Sequence, residues 1–252
     1  MPKTLIAILA SSALCVCLGA SAAEIKVLTA GAFKPVVTAL VPEFEKQTGH
    51  KVTVENDTAG ALAKRISGGE AFDLVILTPG ALSELTKAGK VVEGSTKSLA
   101  RVAIGVAVKK GAALPDISTV AAFQNALLAA RAVAYIDPAS GGSSGIYLTQ
   151  LFEKMSIAEL IKAKAVLVPG GLVAQRLVNG EADIAIHQIS EILAVPGATL
   201  VGPIPAEIQN YTVYAGGVGA GAKDAVAAKA LLNALATPAA QVYMREKGLE
   251  AP

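Results

Sequence analysis

The chain has two histidines, and one of them, His187, ends an apolar run, A185-I-H. Glu191 stands four residues further on. An imidazole at the lip of a cleft can hold a ligand or remove a carbon-bound proton, and a nearby carboxyl can act as acid or base. The alternative for His187 is a strand-end histidine hydrogen-bonded to backbone. A second concentration of polar groups is D137-P-A-S-G-G-S-S-G-I-Y147, directly after the apolar run Ala132–Ile136. It gathers the hydroxyls of Ser140, Ser143 and Ser144 with glycine amides that no side chain shields. Such a stretch is either a flexible turn or a cradle for an anion. No base pairs with these serines in a Ser-His-Asp pattern, and no cluster has metal-ligand spacing. The serines read as N-cap donors for a helix that begins near Gly145.

The same arrangement recurs along the chain. Polar or glycine-bearing segments follow apolar runs at A30-G-A-F-K, D57-T-A-G-A, L77-T-P-G-A and H187-Q-I-S-E. Helix N-termini carry unpaired N–H groups and a partial positive charge, which favours anions, and glycine lets a ligand approach the backbone closely. These loops nominate Gly31, Ala32, Lys34, Thr58, Ala59, Gly60, Thr78, Ser140, Ser143, Ser144, His187 and Gln188 as ligand-binding residues. His187 and Glu191 would be catalytic only if the protein is an isomerase. Lys34 is the cation placed in a loop itself and suits a carboxylate. Lys64 and Arg176 read as solvent-facing helix charges. Asp73 reads as structural, pinning amides at the start of its strand.

Elements able to position these loops alternate. I25-K-V-L-T, K51-V-T-V-E and D73-L-V-I-L read as strands, each followed by a pattern with helical spacing. A long strand over 101–109 can pass between lobes. A second α/β set follows: helices 118–129, 144–155 and 171–179, with strands 132–136, 164–168, 182–187 and 199–201. Two helices, 223–235 and 238–247, end the chain. The glycine-rich A215-G-G-V-G-A-G-A lacks the spacing and acidic partner of a nucleotide loop and reads as a crossing segment. Short apolar strands alternating with amphipathic helices imply parallel strands covered on both faces. In such sheets ligands sit at the carboxyl ends of the strands.

Composition narrows the class. The net charge is +2, aromatics are 4% and tryptophan is absent, so neither a nucleic-acid surface nor a stacking platform is expected. The N-terminus, M-P-K-T followed by an apolar run to Leu18 and small residues at Ala20, Ala22 and Ala23, predicts a cleaved signal peptide over 1–23. Both cysteines lie inside it, so the mature chain has no disulfide or thiolate site. The expected location is the periplasm, with no stable membrane insertion.

The segments V27-L-T-A-G-A-F-K-P-V-V, F44-E-K-Q-T-G-H-K-V, A61-L-A-K-R-I-S-G-G-E-A-F-D-L-V-I and the D-P…S-G-I-Y motif resemble periplasmic solute-binding proteins of ABC importers, of the molybdate-binding type. The resemblance covers nearly the whole mature chain. It implies a two-lobed α/β clamshell of type II, with mixed, mostly parallel sheets that close on a ligand. Lobe one would take residues 24–104 and 205–252, and lobe two 105–204. It also implies a small anionic ligand and an ABC importer permease as partners, a monomer, and no cofactor or metal. The chain departs from the molybdate pattern where Ala32 replaces a serine, where D57-T-A-G-A replaces a serine-rich loop, and where Gln188 replaces a tyrosine. Each hydrogen bond lost to a charged ligand costs roughly 1.5–3 kcal/mol, so the substitutions favour an organic carboxylate. The tail I186-H-Q-I-S-E-I-L-A-V-P-G…V-G-P-I-P-A-E-I-Q is similar to an exported branch that includes aconitate isomerase. That resemblance implies the alternative activity, interconversion of cis- and trans-aconitate by an allylic proton shift. Lys34, Thr58 and the serine loop would then hold carboxylates while His187 or Glu191 moved the proton.

Overall fold

Strands built of consecutive apolar residues can be stable only where both faces are covered, and Leu74–Leu77 and Val133–Ile136 are buried at every position. The computed structural model describes residues 22–252. The cysteines and all but the last two residues of the expected signal peptide lie outside that range. The first part of the chain runs β1 (Glu24–Ala30), α1 (Lys34–Thr48), β2 (Lys51–Asp57), α2 (Ala59–Ser67), β3 (Leu74–Leu77), α3 (Pro79–Lys87) and β4 (Lys97–Val102). The middle runs β5 (Ile104–Lys109), α4 (Val120–Ala129), β6 (Val133–Ile136), α5 (Ser143–Lys154), α6 (Ala158–Lys162), β7 (Ala165–Val168), α7 (Gln175–Val178), β8 (Ile184–Gln188), α8 (Ile189–Leu193) and β9 (Ala198–Pro203). The last part runs β10 (Thr212–Val218), α9 (Ala225–Leu235), α10 (Pro238–Glu246) and β11 (Leu249–Glu250).

These strands form two mixed sheets, one per lobe, in the orders β11-β4-β10-β3-β1-β2 and β7-β6-β8-β5-β9. Parallel pairing joins β1 to β2 and β3, and β6 to β7 and β8. Every antiparallel pair involves β4, β5, β9 or β10, the strands beside the crossings. The long apolar run 101–109 is split at Ala103, so that β4 serves one sheet and β5 the other. The chain returns between Pro203 and Thr212. The glycine-rich stretch after Ala215 is therefore not the crossing: Ala215–Val218 is the part of β10 that lies between β3 and β4. Its glycines serve close packing, since a Cβ on Gly216 would lie 2.5 Å from Leu232. The helix expected over 171–179 shortens to α7, because Gly171 takes φ +83 and opens a turn.

Lobe one has a single apolar core built around Phe33, Leu74, Ile76 and Leu231. In lobe two, successive residues of β6 face opposite ways. Val133 and Tyr135 join Phe123 and Phe152, while Ala134 and Ile136 join Val173 and Leu177. Helix starts are fixed locally: Thr58, Thr119, Asp224 and Thr237 each accept a hydrogen bond from the amide three residues on. Asp73 pins the strand edge as its sequence position suggests, accepting from the amides of Lys26 and Lys223 at 2.7 Å each.

Candidate functional site

Four strand-to-helix connections, after β1, β2, β6 and β8, meet between the two sheets and enclose a cavity of about 30 Å³. Of the residues nominated from sequence, Gly31, Ala32, Thr58, Ala59, Ser143, Ser144, His187, Gln188 and Glu191 line it. Asn56, Asp57, Gly142 and Tyr214 line it as well. The first-turn amides of a helix have no intrahelical acceptor. At the start of α5 no side chain caps them, because the cap position is Gly142 and the helix begins at Ser143. Ser143 and Ser144 are thus first-turn residues that line the cavity, in place of the capping role expected of their hydroxyls.

The other four nominated residues lie elsewhere, each for a visible reason. Lys34 is the first residue of α1 and is exposed. It lines a separate, wider groove of about 620 Å³ that shares Gly31, Asn56, Gly171 and Glu191 with the inner cavity. Gly60 is pressed against Gly141 across the cleft, where its amide donates to the Gly141 carbonyl at 3.1 Å. Ser140 turns its hydroxyl onto the Asp137 carbonyl at 2.7 Å, and its own carbonyl accepts from the Thr58 hydroxyl. Thr78 precedes Pro79 and Gly80, which run out into solvent at the start of α3. Of the residues missed, Asn56 and Asp57 stand directly before Thr58, and Asp57 was already part of the loop quoted there. Tyr214 comes from the middle of β10 and carries no local signal at all.

The electrostatic centre is His187 and Glu191. β8 delivers the imidazole and the first turn of α8 delivers the carboxyl, so His187 Nε2 stands 3.2 Å from Glu191 Oε2. Their side chains are only 3% and 10% exposed. Burial pushes Glu191 up to about 8 and His187 down to about 3, since taking either charge out of water disfavours it. The pair therefore holds one proton between its partners at neutral pH and carries no net charge. Burial, with Glu191 nearby, also raises the Tyr214 phenol, which stays neutral. Gln188 is anchored by its amide nitrogen, which donates to Thr212 Oγ1 at 2.8 Å and to Ser143 Oγ at 3.3 Å. His187 Nδ1 and Gln188 Oε1 are buried without any hydrogen-bond partner. Unpaired buried polar atoms are rare in folded proteins, and two of them on adjacent cavity-lining residues point to a ligand or water that completes the bonding.

A chamber of amides, hydroxyls and one neutral acid–imidazole pair, with no lysine or arginine in its wall among the described residues, can bind a small anion through hydrogen bonds alone. Comparison with known proteins agrees with this architecture. The chain is 35% identical to an aconitate isomerase of a Pseudomonas species over 230 residues, covering 89% of this chain and 86% of that protein. It is 27% identical to the molybdate-binding protein ModA of Azotobacter vinelandii over 246 residues, covering 91% and 90%. Among solved structures, the Azotobacter vinelandii periplasmic molybdate-binding protein superposes with a TM-score of 0.77 at 21% identity, covering 91% of this chain and 100% of that one. The sulfate-binding protein SubI of Mycobacterium tuberculosis superposes with a TM-score of 0.72 at 19% identity, covering 91% and 87%. The family profile described as bacterial extracellular solute-binding protein matches residues 25–250, and the chain belongs to that family.

Proposed function

We propose that this protein is an exported periplasmic solute-binding protein whose lobes close on a small carboxylate or oxyanion and deliver it, as a monomer, to an ABC importer permease. The observation that carries the reading is that an uncapped helix start with Ser143 and Ser144, and two residues with unpartnered buried polar atoms, His187 and Gln188, line one cavity between the sheets. Family membership supports export, and the expected signal peptide would be removed on the way. The loops that lack the molybdate pattern's hydroxyls favour an organic carboxylate.

One observation favours a second reading. The His187–Glu191 pair lies in the chamber wall, and a protein 35% identical to this chain is an aconitate isomerase. An allylic proton shift needs one group to remove a proton from carbon and to return it at another carbon. An imidazole whose free nitrogen carries a lone pair can do both, with Glu191 beside it to take up or return a proton. The test uses purified mature protein with cis-aconitate, trans-aconitate, citrate and molybdate. Thermal shift reports binding, and the NMR spectrum of the same samples reports turnover. Stabilisation by one anion without turnover supports transport and names its cargo. Interconversion of the aconitates makes the protein an enzyme. No stabilisation by any of the four rejects the carboxylate reading as stated.

A further inference from the structure

The inner chamber presents an electrostatic problem. Among the described residues its wall contains two carboxyl groups, Asp57 and Glu191, and no lysine or arginine. Asp57 has an outlet, since Arg65 stands 3.8 Å from it and the Thr58 amide donates to it at 2.8 Å. Glu191 has none. Its Oε1 lies so close to Gly31 that a Cβ there would clash with it, and its Oε2 meets His187. The other polar edge of the imidazole, Nδ1, is buried and unpartnered.

A proton count decides what Nδ1 can do. With one proton shared by the pair, two arrangements exist. Either the Glu191 acid donates to Nε2 of a neutral imidazole, or an imidazolium donates from Nε2 to the carboxylate. In both, Nδ1 carries a hydrogen and can donate to an anion. Remove that proton and the remaining hydrogen is drawn to Nε2, facing the carboxylate. Nδ1 is then a bare lone pair, and the pair carries a negative charge. We propose that the cleft takes up its anion together with one proton, held by the His187–Glu191 pair, whose loss converts His187 Nδ1 from donor to acceptor. The proposal rests on the reading of this cleft as the anion site and adds the proton as an obligatory co-ligand.

The groups around the pair do not substitute for that proton. Asn56 and Asp57 face it from β2, and Tyr214 from β10. Lys34, Lys247 and Glu246 lie in the outer groove on the far side of Glu191. Burial holds the Tyr214 phenol neutral throughout.

The test measures affinity for trans-aconitate, citrate and molybdate by calorimetry from pH 7 to 9.5, where molybdate is fully ionised and the two tricarboxylates nearly so. Expected is a fall steepening to tenfold per pH unit, about 30-fold by pH 9.5. Runs at pH 9 in two buffers of different ionisation enthalpy should return about one proton taken up per anion bound. In Glu191→Gln the slope flattens, whatever the affinity at pH 7, because an amide cannot lose the proton. In Lys34→Met and Lys247→Met it persists. A flat wild-type profile, no proton uptake, or loss of the slope in a lysine variant overturns the proposal while leaving the anion site standing. Failure of all three probes to bind at any pH removes the anion site and the proposal with it. Should Glu191→Gln fail to fold, the two-buffer proton count on the wild type still decides.

Discussion

Replacing Glu191 with glutamine should reshape the dependence of stability on pH without any ligand present. Glu191 is pushed from its ordinary 4.5 up to about 8, and His187 from 6.5 down to about 3. A carboxyl with a raised value binds its proton more tightly folded than unfolded. Its stabilisation is complete below 4.5 and is lost as pH rises through about 8. A histidine with a depressed value does the reverse: its contribution is complete above 6.5 and is lost as pH falls towards about 3. Between 4.5 and 6.5 the two slopes oppose each other, so the pair leaves stability level. Between 6.5 and about 8 only Glu191 titrates. At about 1.4 kcal/mol per pH unit, the wild type should lose ~2 kcal/mol over that window. The Glu191→Gln protein should lose none of it and should instead weaken steadily below 6.5, where His187 acts alone. Urea unfolding followed by circular dichroism at pH 5, 6.5 and 8 measures this, and the difference between the two proteins cancels every group they share. Parallel curves for the two proteins would refute the assignment of a shared buried proton.

Other perturbations follow from the contacts. Gly60→Ala adds a Cβ 2.7 Å from the Gly141 Cα, at a helical position where alanine is itself favourable by about 1 kcal/mol. The protein should fold normally yet fail to close, with a larger radius of gyration in X-ray scattering and at least tenfold weaker anion binding. Alanine at both Ser143 and Ser144 should weaken binding without unfolding, as followed by titration and thermal melting; unchanged affinity would take these hydroxyls out of the site. Asp73→Asn leaves the amides of Lys26 and Lys223 with a weaker acceptor and should cost about 2 kcal/mol in urea unfolding. Glu70 is held down to about 2 by Arg65 and Lys26, so it stabilises above 4.5 and that contribution disappears as pH falls through about 2. Its side chain is partly exposed, so Glu70→Gln should cost only about 1 kcal/mol at pH 7, and less in high salt.

The alternation of strands and helices, the two-sheet fold and the loops that build the cleft can all be read from residue order. Buried parallel strands must be apolar throughout, and anion-binding loops must expose backbone, so both leave a local trace in composition. Thr58, Ser143, Ser144, His187, Gln188 and Glu191 were legible for that reason. The break at Ala103 also fits a strand run longer than one sheet uses. Tertiary structure alone decided the rest. Tyr214 reaches the chamber because β10 lies between β3 and β4, a placement that no spacing within the chain encodes. Gly60 and Ser140 belong to loops that do face the cleft, yet contacts across it set one against Gly141 and the other against Thr58. Lys34 follows the first loop, but α1 carries its side chain into the outer groove. The coupling of His187 to Glu191 likewise exists only in the folded chain. Their spacing of four permits contact, but only burial between two sheets ties one proton to the pair.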